Sequence, residues 1–158
     1  MTAKITQKIT PFLWFDTQAE EAANHYVAIF GGDSRIVGIT RYTASAPGET
    51  GSVMTVEFEL AGQHFIALNG GPQFSFTEAV SLAVACEGQE EIDRFWALLS
   101  EGGEEGPCGW LKDKYGLSWQ VVPAELPELL DRDQEKTDRV MAAVMGMKKL
   151  DVQAMRDA

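Results

Sequence analysis

The chain has 158 residues, 45% hydrophobic and 23% charged, a composition typical of one globular domain with its own core. Its net charge of −11 repels phosphate groups, so neither a nucleic acid nor an anionic membrane is expected as a partner. Two cysteines are too few for a disulfide framework, and both are expected to be buried apolar residues. The longest apolar run near the start, residues 12–15, is too short to cross a bilayer, so a cytoplasmic protein is predicted.

A strand followed by a helix is predicted at the start of the chain. The β-branched and aromatic side chains of residues 9–15 are typical of a strand. Asp16 and Thr17 are candidates for the N-cap of the helix, and the Gly31-Gly32 pair would end it. Apolar side chains recur on one face of this helix, at Ala22, Tyr26 and Ile29.

Three more strands are predicted, at residues 34–43, 52–60 and 63–68. The last two form a hairpin around the two-residue turn Ala61-Gly62. A turn of that length sets Glu59 opposite His64 and Glu57 opposite Ile66. The alternate positions of both strands are apolar and should pack on a helix: Val56, Phe58, Leu60, Phe65 and Ala67.

The same order of elements is predicted a second time, with a strand at residues 80–86 and a helix at residues 89–101. The apolar face of the first helix recurs 70 positions later, with Ala22 matched by Ile92, Tyr26 by Trp96 and Ile29 by Leu99. At the same offset the strand residues 13–15 correspond to 83–85. The pattern indicates an internal duplication of a strand–helix–strands module.

Residues 108–123, CGWLKDKYGLSWQVVP, are predicted to form the hairpin that closes the second module. Strands at residues 109–112 and 117–122 flank a turn at residues 113–116. Alternation gives the second strand two faces, with Ser118, Gln120 and Val122 on one and Leu117, Trp119 and Val121 on the other. The face that carries Gln120 is therefore either a ligand cleft or a solvated surface.

After Pro123 the composition becomes helical, with a short helix predicted at residues 127–131 and a longer one at residues 133–147. The longer helix has an apolar stripe formed by Val140, Met141, Val144 and Met145. A Met-rich stripe is more often core, but it can also form a partner surface because methionine adapts to irregular neighbours.

Four strings carry a resemblance to a known family: ITPFLWFD at 9–16, FGGDS at 30–34, GSVMTVEFELAGQHFIALNGGP at 51–72 and CGWLKDKYGLSWQVVP at 108–123. With the duplicated module, they resemble the PhnB-like branch of the vicinal oxygen chelate superfamily, which includes glyoxalases, bleomycin resistance proteins and dioxygenases. This branch often carries the label demethylubiquinone methyltransferase. The resemblance covers about residues 9–123, most of the chain.

The resemblance implies an α+β fold in which two βαβββ modules form a curled mixed sheet around a shared cavity, and it implies a homodimer. The expected organisation is a single domain, 1–158, with a first module at about 9–72, a second at about 79–123 and a helical extension at 124–158.

Enzymes of this superfamily hold a divalent metal with one His or Glu from each of four strands. The resemblance places these positions within residues 9–11, at Ile66, near Ser81 and at Gln120. Only Gln120 keeps a good donor oxygen, whereas catalytic metal sites want about three imidazole or carboxylate ligands. A divalent metal at the usual four positions is therefore not expected, and any other cofactor is left open.

A replacement polar set is expected on the face opposite the helix, where Glu57, Glu59 and His64 would join Gln120. Such a set could bind a metal or act as acid and base, with Glu57 and His64 as the catalytic candidates and Glu57 the deeper residue. The alternative is a cross-strand polar pair on a solvated sheet face. Ser118 and Trp14 are further candidates for ligand binding, although Trp14, Trp110 and Trp119 are equally well explained as core residues.

Methyl transfer finds no support in the sequence, because the first strand–helix junction, residues 15–18, lacks the glycine-rich turn of the common adenosylmethionine enzymes. Two hypotheses remain, and they leave open whether the protein is an enzyme. The first is a cavity that binds a small organic molecule without metal. The second is an enzyme with an altered metal or acid–base site.

Overall fold

The computed structural model describes residues 5–130 and 133–158. The chain divides into two compact units, Met1–Ser75 and Phe76–Ala158, and the fold class is α+β as predicted. In chain order the elements are β1 (Phe12–Phe15), α1 (Ala19–Phe30), β2 (Arg35–Arg41), β3 (Val53–Leu60), β4 (Gln63–Asn69), β5 (Ser81–Cys86), α2 (Gln89–Ser100), β6 (Glu104–Glu105), β7 (Trp110–Lys112), β8 (Ser118–Pro123), α3 (Leu126–Leu130), α4 (Gln134–Met145) and α5 (Val152–Asp157).

The first unit is a four-stranded mixed sheet in the order β1-β4-β3-β2. The two-residue turn fixes the register of β3 against β4, and the predicted opposition of Glu59 to His64 and of Glu57 to Ile66 is confirmed. The apolar face packs on α1 as predicted, with the rings of Tyr26 and Phe58 stacked 6.3 Å apart between centroids.

The start of α1 is stabilised from a distant part of the chain. Gln18 is the N-cap residue, and its side chain makes no capping hydrogen bond. Instead, Asn69 at the end of β4 accepts a hydrogen bond from the backbone N–H of Ala19 at 2.8 Å. The prediction that Asp16 or Thr17 caps the helix is therefore wrong, because the parallel pairing of β1 with β4 brings the Asn69 carboxamide to the helix terminus.

The second unit repeats this arrangement, with its four strands in the order β5-β8-β7-β6. The duplication is confirmed for the helices, but the strands follow an offset of 71, since the buried Leu13 and Phe15 correspond to the buried Val84 and Cys86. The predicted strand offset of 70 is wrong by one residue. The reason is that the connection from strand to helix is residues 16–18 in the first unit and only 87–88 in the second.

The two cysteines occupy different environments. Cys86 is 1% exposed, and its burial, helped by the negative charge of Glu91, raises the pKa of its thiol to about 12. Cys108 is only half-buried, with its Sγ 3.6 Å from Sδ of Met145. The prediction of a buried apolar cysteine is therefore confirmed for Cys86 and wrong for Cys108, which lies where a loop meets α4.

The C-terminal helices form a core cluster with the second unit, made of Leu129, Val140, Val144, Leu150 and Met155. The apolar stripe of α4 is divided, since its valines are buried while Met141 and Met145 are 40% and 67% exposed. The helices α3 and α4 lie close to the predicted spans, although Asp131, predicted as the end of α3, lies outside the described residues. The helix α5 lies within the expected helical extension 124–158, and the two-residue strand β6 completes the expected βαβββ order, although the residues of neither had been assigned to an element of their own.

Backbone hydrogen bonds attach the segment after α4 to the second unit. The backbone N–H groups of Cys108 and Gly109 donate to the carbonyls of Met147 and Lys148, each at 2.8 Å. The Gln89 side chain donates to the carbonyl of Leu150 and accepts from the N–H of Val152, both at 2.9 Å. The extension is thus held at the Cys108 loop and at the start of α2.

Within the described ranges, no helix has the length and apolar character needed to cross a membrane.

The hydrogen bonds of the Gln89 carboxamide to the extension are expected to contribute to stability. Gln89→Ala should lower the free energy of unfolding by about 2 kcal/mol, because two partly buried hydrogen bonds of roughly 1 kcal/mol each are lost. Denaturant titration measures this change. The control is Gln153→Ala, which removes an exposed glutamine whose side chain donates to Asp157 on its own helix. A loss no larger than that of the control would show that Gln89 does not anchor the extension.

Candidate functional site

The β7–β8 hairpin arranges four side chains on one face of the second sheet. In its register Lys112 pairs with Ser118 and Trp110 pairs with Gln120, and directly paired residues point to the same side. The intervening residues, Leu111 and Trp119, are each 2% exposed and belong to the core. The face opposite this core therefore presents an ammonium, a hydroxyl, an indole and a carboxamide.

A pocket of about 360 Å³ lies beside this hairpin, and we call it the hairpin pocket. The residues that line it include Glu78, Glu104, Glu105, Trp110, Lys112 and Ser118. All of the described lining residues belong to the second unit, Phe76–Ala158. Its volume lies within the range of roughly 300–1,000 Å³ that is usual for small-molecule sites.

Ser118 is the unusual residue of the pocket wall. It is 0% exposed, and its Oγ has no hydrogen-bond partner among the described residues. Leaving a buried hydroxyl unpaired costs about 1–3 kcal/mol, so buried polar groups are almost always bonded. An unpaired hydroxyl in a pocket wall is the arrangement expected where a ligand supplies the missing partner.

Gln120 has a partner within the protein. Its Nε2 donates to Oγ of Ser81 at 2.9 Å, so two of the positions that the resemblance assigned to metal ligands are bonded to each other. A carboxamide and a hydroxyl, with isoleucine at position 66, do not fit a divalent metal of the kind that this superfamily binds. Among the described residues, no group of three or more His, Cys, Asp or Glu is placed to hold a metal ion.

An ion pair forms part of the pocket wall. The Lys112 ammonium lies 2.5 Å from Oε1 of Glu78, on the loop before β5. Hydrogen bonding to Lys112 lowers the pKa of the Glu78 carboxyl, and the same bond raises the pKa of Lys112. Both side chains are therefore charged at neutral pH. The Glu105 carboxylate is held by a different donor, Nε1 of Trp96, at 2.8 Å.

The first unit gathers the predicted polar set around His64. Nδ1 of His64 lies 3.4 Å from Glu57 and Nε2 lies 3.6 Å from Glu59, which also lies 3.4 Å from Arg35. Because the carboxylates contact different ring nitrogens, they flank the imidazole and do not converge with it on one ion. The expectation that Glu57 is the deeper residue is wrong: its side chain is 44% exposed and that of Glu59 is 18% exposed.

Trp14 is bound to the loop that follows β4. Its Nε1 donates to the carbonyl of Gly71 at 2.9 Å, and its ring meets Phe74 edge to face at 4.9 Å. Gly70 lies under the indole, where a Cβ would come within 2.3 Å of the ring. Trp119 is likewise engaged, because its Nε1 donates to the buried carboxylate of Asp113 at 2.8 Å. These contacts give both indoles structural roles.

The predicted site residues fall into two sets, one in each unit. Glu57, Glu59, His64 and Trp14 belong to the first unit, and Ser118 and Gln120 to the second. Sequence reasoning missed the charged residues of the pocket lining, which are Glu78, Glu104, Glu105 and Lys112. The hairpin register could have indicated Lys112, because it faces Ser118. No periodic pattern marks Glu78, which precedes β5 in a loop.

Comparison with known proteins decides the family. The family model for 3-demethylubiquinone-9 3-methyltransferase matches residues 7–122. The chain belongs to this PhnB-like family. A PhnB protein from Bacillus cereus, described as a candidate 3-demethylubiquinone-9 3-methyltransferase, is 42% identical, with 73% of this chain and 99% of that chain covered and a TM-score of 0.64. The resemblance inferred from the sequence is thereby confirmed.

More distant structures share the fold with this PhnB-like protein. The fosfomycin resistance protein FosX from Mesorhizobium loti is 15% identical, covering 82% of this chain and 100% of that one at a TM-score of 0.57. A glyoxylase/bleomycin resistance protein/dioxygenase domain from Frankia is 16% identical, covering 78% and 96% at a TM-score of 0.50. No curated protein matches the chain. The family match ends at residue 122, so α3, α4 and α5 lie beyond it.

Proposed function

We propose that this PhnB-like protein binds a small organic molecule in the hairpin pocket. The observation that carries the proposal is the hydroxyl of Ser118, which is fully buried in the pocket wall and has no bonding partner among residues 5–130 and 133–158. A ligand atom that donates to or accepts from this hydroxyl would remove its desolvation cost. That gain would add to the burial of apolar surface against Trp110.

Binding is proposed in preference to methyl transfer, the reaction that the family's description names. Both sheets are mixed, with parallel and antiparallel strand pairs, and the first strand–helix junction has no glycine-rich turn. The common adenosylmethionine enzymes instead hold the methyl donor on a doubly wound parallel sheet. The proposal therefore concerns recognition of an organic molecule by groups that the chain itself supplies.

Ser118→Ala should separate stability from binding. Without ligand, the variant should be about 1 kcal/mol more stable than the wild type, because an unpaired buried hydroxyl is removed. Fragments that shift the backbone amide signals of Ser118 and Trp110 in nuclear magnetic resonance spectra should bind the variant about tenfold more weakly, since the hydrogen bond is lost.

The matched control is Ser52→Ala in the first unit, where the hydroxyl already donates to the carbonyl of Glu49 at 2.6 Å. This variant should lose stability slightly and bind fragments as the wild type does. If Ser118→Ala proves less stable than the wild type and binds fragments with unchanged affinity, Ser118 is an ordinary structural residue and the proposal fails.

A second candidate function is supported by His64, because carboxylates lie close to both of its ring nitrogens. In such an arrangement one carboxylate fixes the imidazole orientation while the other exchanges a proton with a substrate. Glu59 is the better candidate for orientation, since it is the more buried and is also held by Arg35. Glu57 is the better candidate for contact with substrate.

His64→Ala and Glu57→Gln test this acid–base hypothesis. If the cluster acts on a small molecule, each variant should weaken a ligand-induced thermal shift that Ser118→Ala leaves intact. A metal version of the hypothesis further requires that Zn²⁺, Mn²⁺, Ni²⁺ or Mg²⁺ raise the melting temperature of the wild type. Unchanged ligand shifts in both variants, with no response to any metal, would leave the cluster as a polar pair on a sheet face.

We also propose that the protein forms a homodimer. The support is the exposure of Met141 and Met145 on α4, next to the buried Val140 and Val144, because thioether side chains pack readily against a partner. Light scattering should give twice the mass of one chain, and Met141→Glu should shift the protein to the monomer. A wild-type monomer at micromolar concentration would contradict the proposal.

A further inference from the structure

We propose that the hairpin pocket selects organic cations, specifically molecules that carry a hydrogen-bonding group at one end and a protonated amine at the other. This inference rests on the proposed function, because it names the class of molecule that the pocket binds. Two independent features of the pocket support it: the charges of its wall and the order of its polar groups from inside to outside.

The charges of the wall do not cancel. Glu78, Glu104 and Lys112 are charged residues of its lining. The Lys112 ammonium is bound to Glu78, and Lys112 pairs with Glu104 across the strands, so two carboxylates meet one ammonium. Glu105 pairs instead with Leu111 of the core, and its carboxylate accepts a hydrogen bond from Nε1 of the buried Trp96. The pocket face therefore keeps a net negative charge next to Glu104.

The polar groups are arranged from the inside outwards. Ser118 is 0% exposed, Trp110 on the same face of the hairpin is half-buried, and Glu104 is exposed. A matching ligand places a hydroxyl or carbonyl at Ser118, an apolar body against Trp110 and a cation beside Glu104. Trp110 adds to this preference, because an indole attracts cations to its face.

An anionic ligand is disfavoured by the same groups. To reach the ammonium of Lys112, an anion has to displace Glu78 from a contact of 2.5 Å. It would then lie beside Glu104, which pairs with Lys112 across the strands and whose like charge repels it. An unpaired buried hydroxyl alone would accept ligands of either charge, so the carboxylates determine the selection.

Four probes of similar size separate the contributions. Tyramine carries both a phenol and an ammonium; tyrosol, 4-(2-hydroxyethyl)phenol, replaces the ammonium with a neutral hydroxyl; 3-(4-hydroxyphenyl)propionate carries a carboxylate instead; and 2-phenylethylamine lacks the phenol. Titrations followed at the backbone amides of Ser118 and Trp110 give the four dissociation constants. Tyramine should bind about tenfold more tightly than tyrosol, the propionate should bind most weakly, and 2-phenylethylamine should lose affinity relative to tyramine.

Glu104→Gln should remove most of the advantage of tyramine over tyrosol while leaving the affinity for tyrosol unchanged. The control is Glu128→Gln, which makes the same charge change at an exposed position on α3, outside the pocket wall. Added salt should weaken tyramine binding and leave tyrosol binding unaffected, because screening acts only on the charged ligand.

The outcomes distinguish this inference from the proposed function. If tyramine and tyrosol bind equally at Ser118, or if the propionate binds most tightly, the cation preference is wrong while small-molecule binding in the pocket stands. If Glu104→Gln and Glu128→Gln reduce tyramine binding equally, the preference reflects the overall charge of the chain and the inference about the pocket is again wrong. If none of the four probes perturbs Ser118 or Trp110 at millimolar concentration, both the inference and the proposed function fail.

Discussion

The buried carboxylate of Asp113 fixes the hairpin on which the candidate site is built. It accepts hydrogen bonds from the backbone N–H groups of Tyr115 and Leu117 and from Nε1 of Trp119, at 2.8, 3.1 and 2.8 Å. Together these bonds hold the turn and the first core residue of β8 in one register. A slip of one residue would turn Trp119 towards the pocket face and Ser118 into the core, because side chains alternate along a strand.

The two units use the same fold for different purposes. The first uses the end of β4 to cap α1 through Asn69 and carries an open polar cluster on the other face of its sheet. The second places a pocket beside its hairpin and is completed by helices that lie beyond the family match. Cys108 connects these features, since it lines the pocket while its N–H is bonded to Met147 in the extension. The part of the chain outside the family match is thus attached to the pocket wall.

Local patterns in the sequence predicted the features that local forces determine. The two-residue turn at Ala61-Gly62 set Glu59 opposite His64, and the helical repeat matched Tyr26 with Trp96. The features that were missed depend on residues distant in the chain. Asn69 caps a helix that begins 50 positions earlier, and Glu78 meets Lys112 only after the sheet has formed. Ser118 was a candidate because it shares a face with Gln120, but its lack of a bonding partner is a property of tertiary packing, which no spacing rule contains.

The central claim is that the hydroxyl of Ser118 receives its hydrogen bond from a bound small molecule. A high-resolution crystal structure of the wild-type protein, saturated with the tightest-binding fragment, tests it most directly. We expect a polar ligand atom within hydrogen-bond distance of Ser118 Oγ and the apolar part of the ligand against Trp110. A Ser118 hydroxyl bonded to a protein group, with the fragment bound elsewhere, would contradict it.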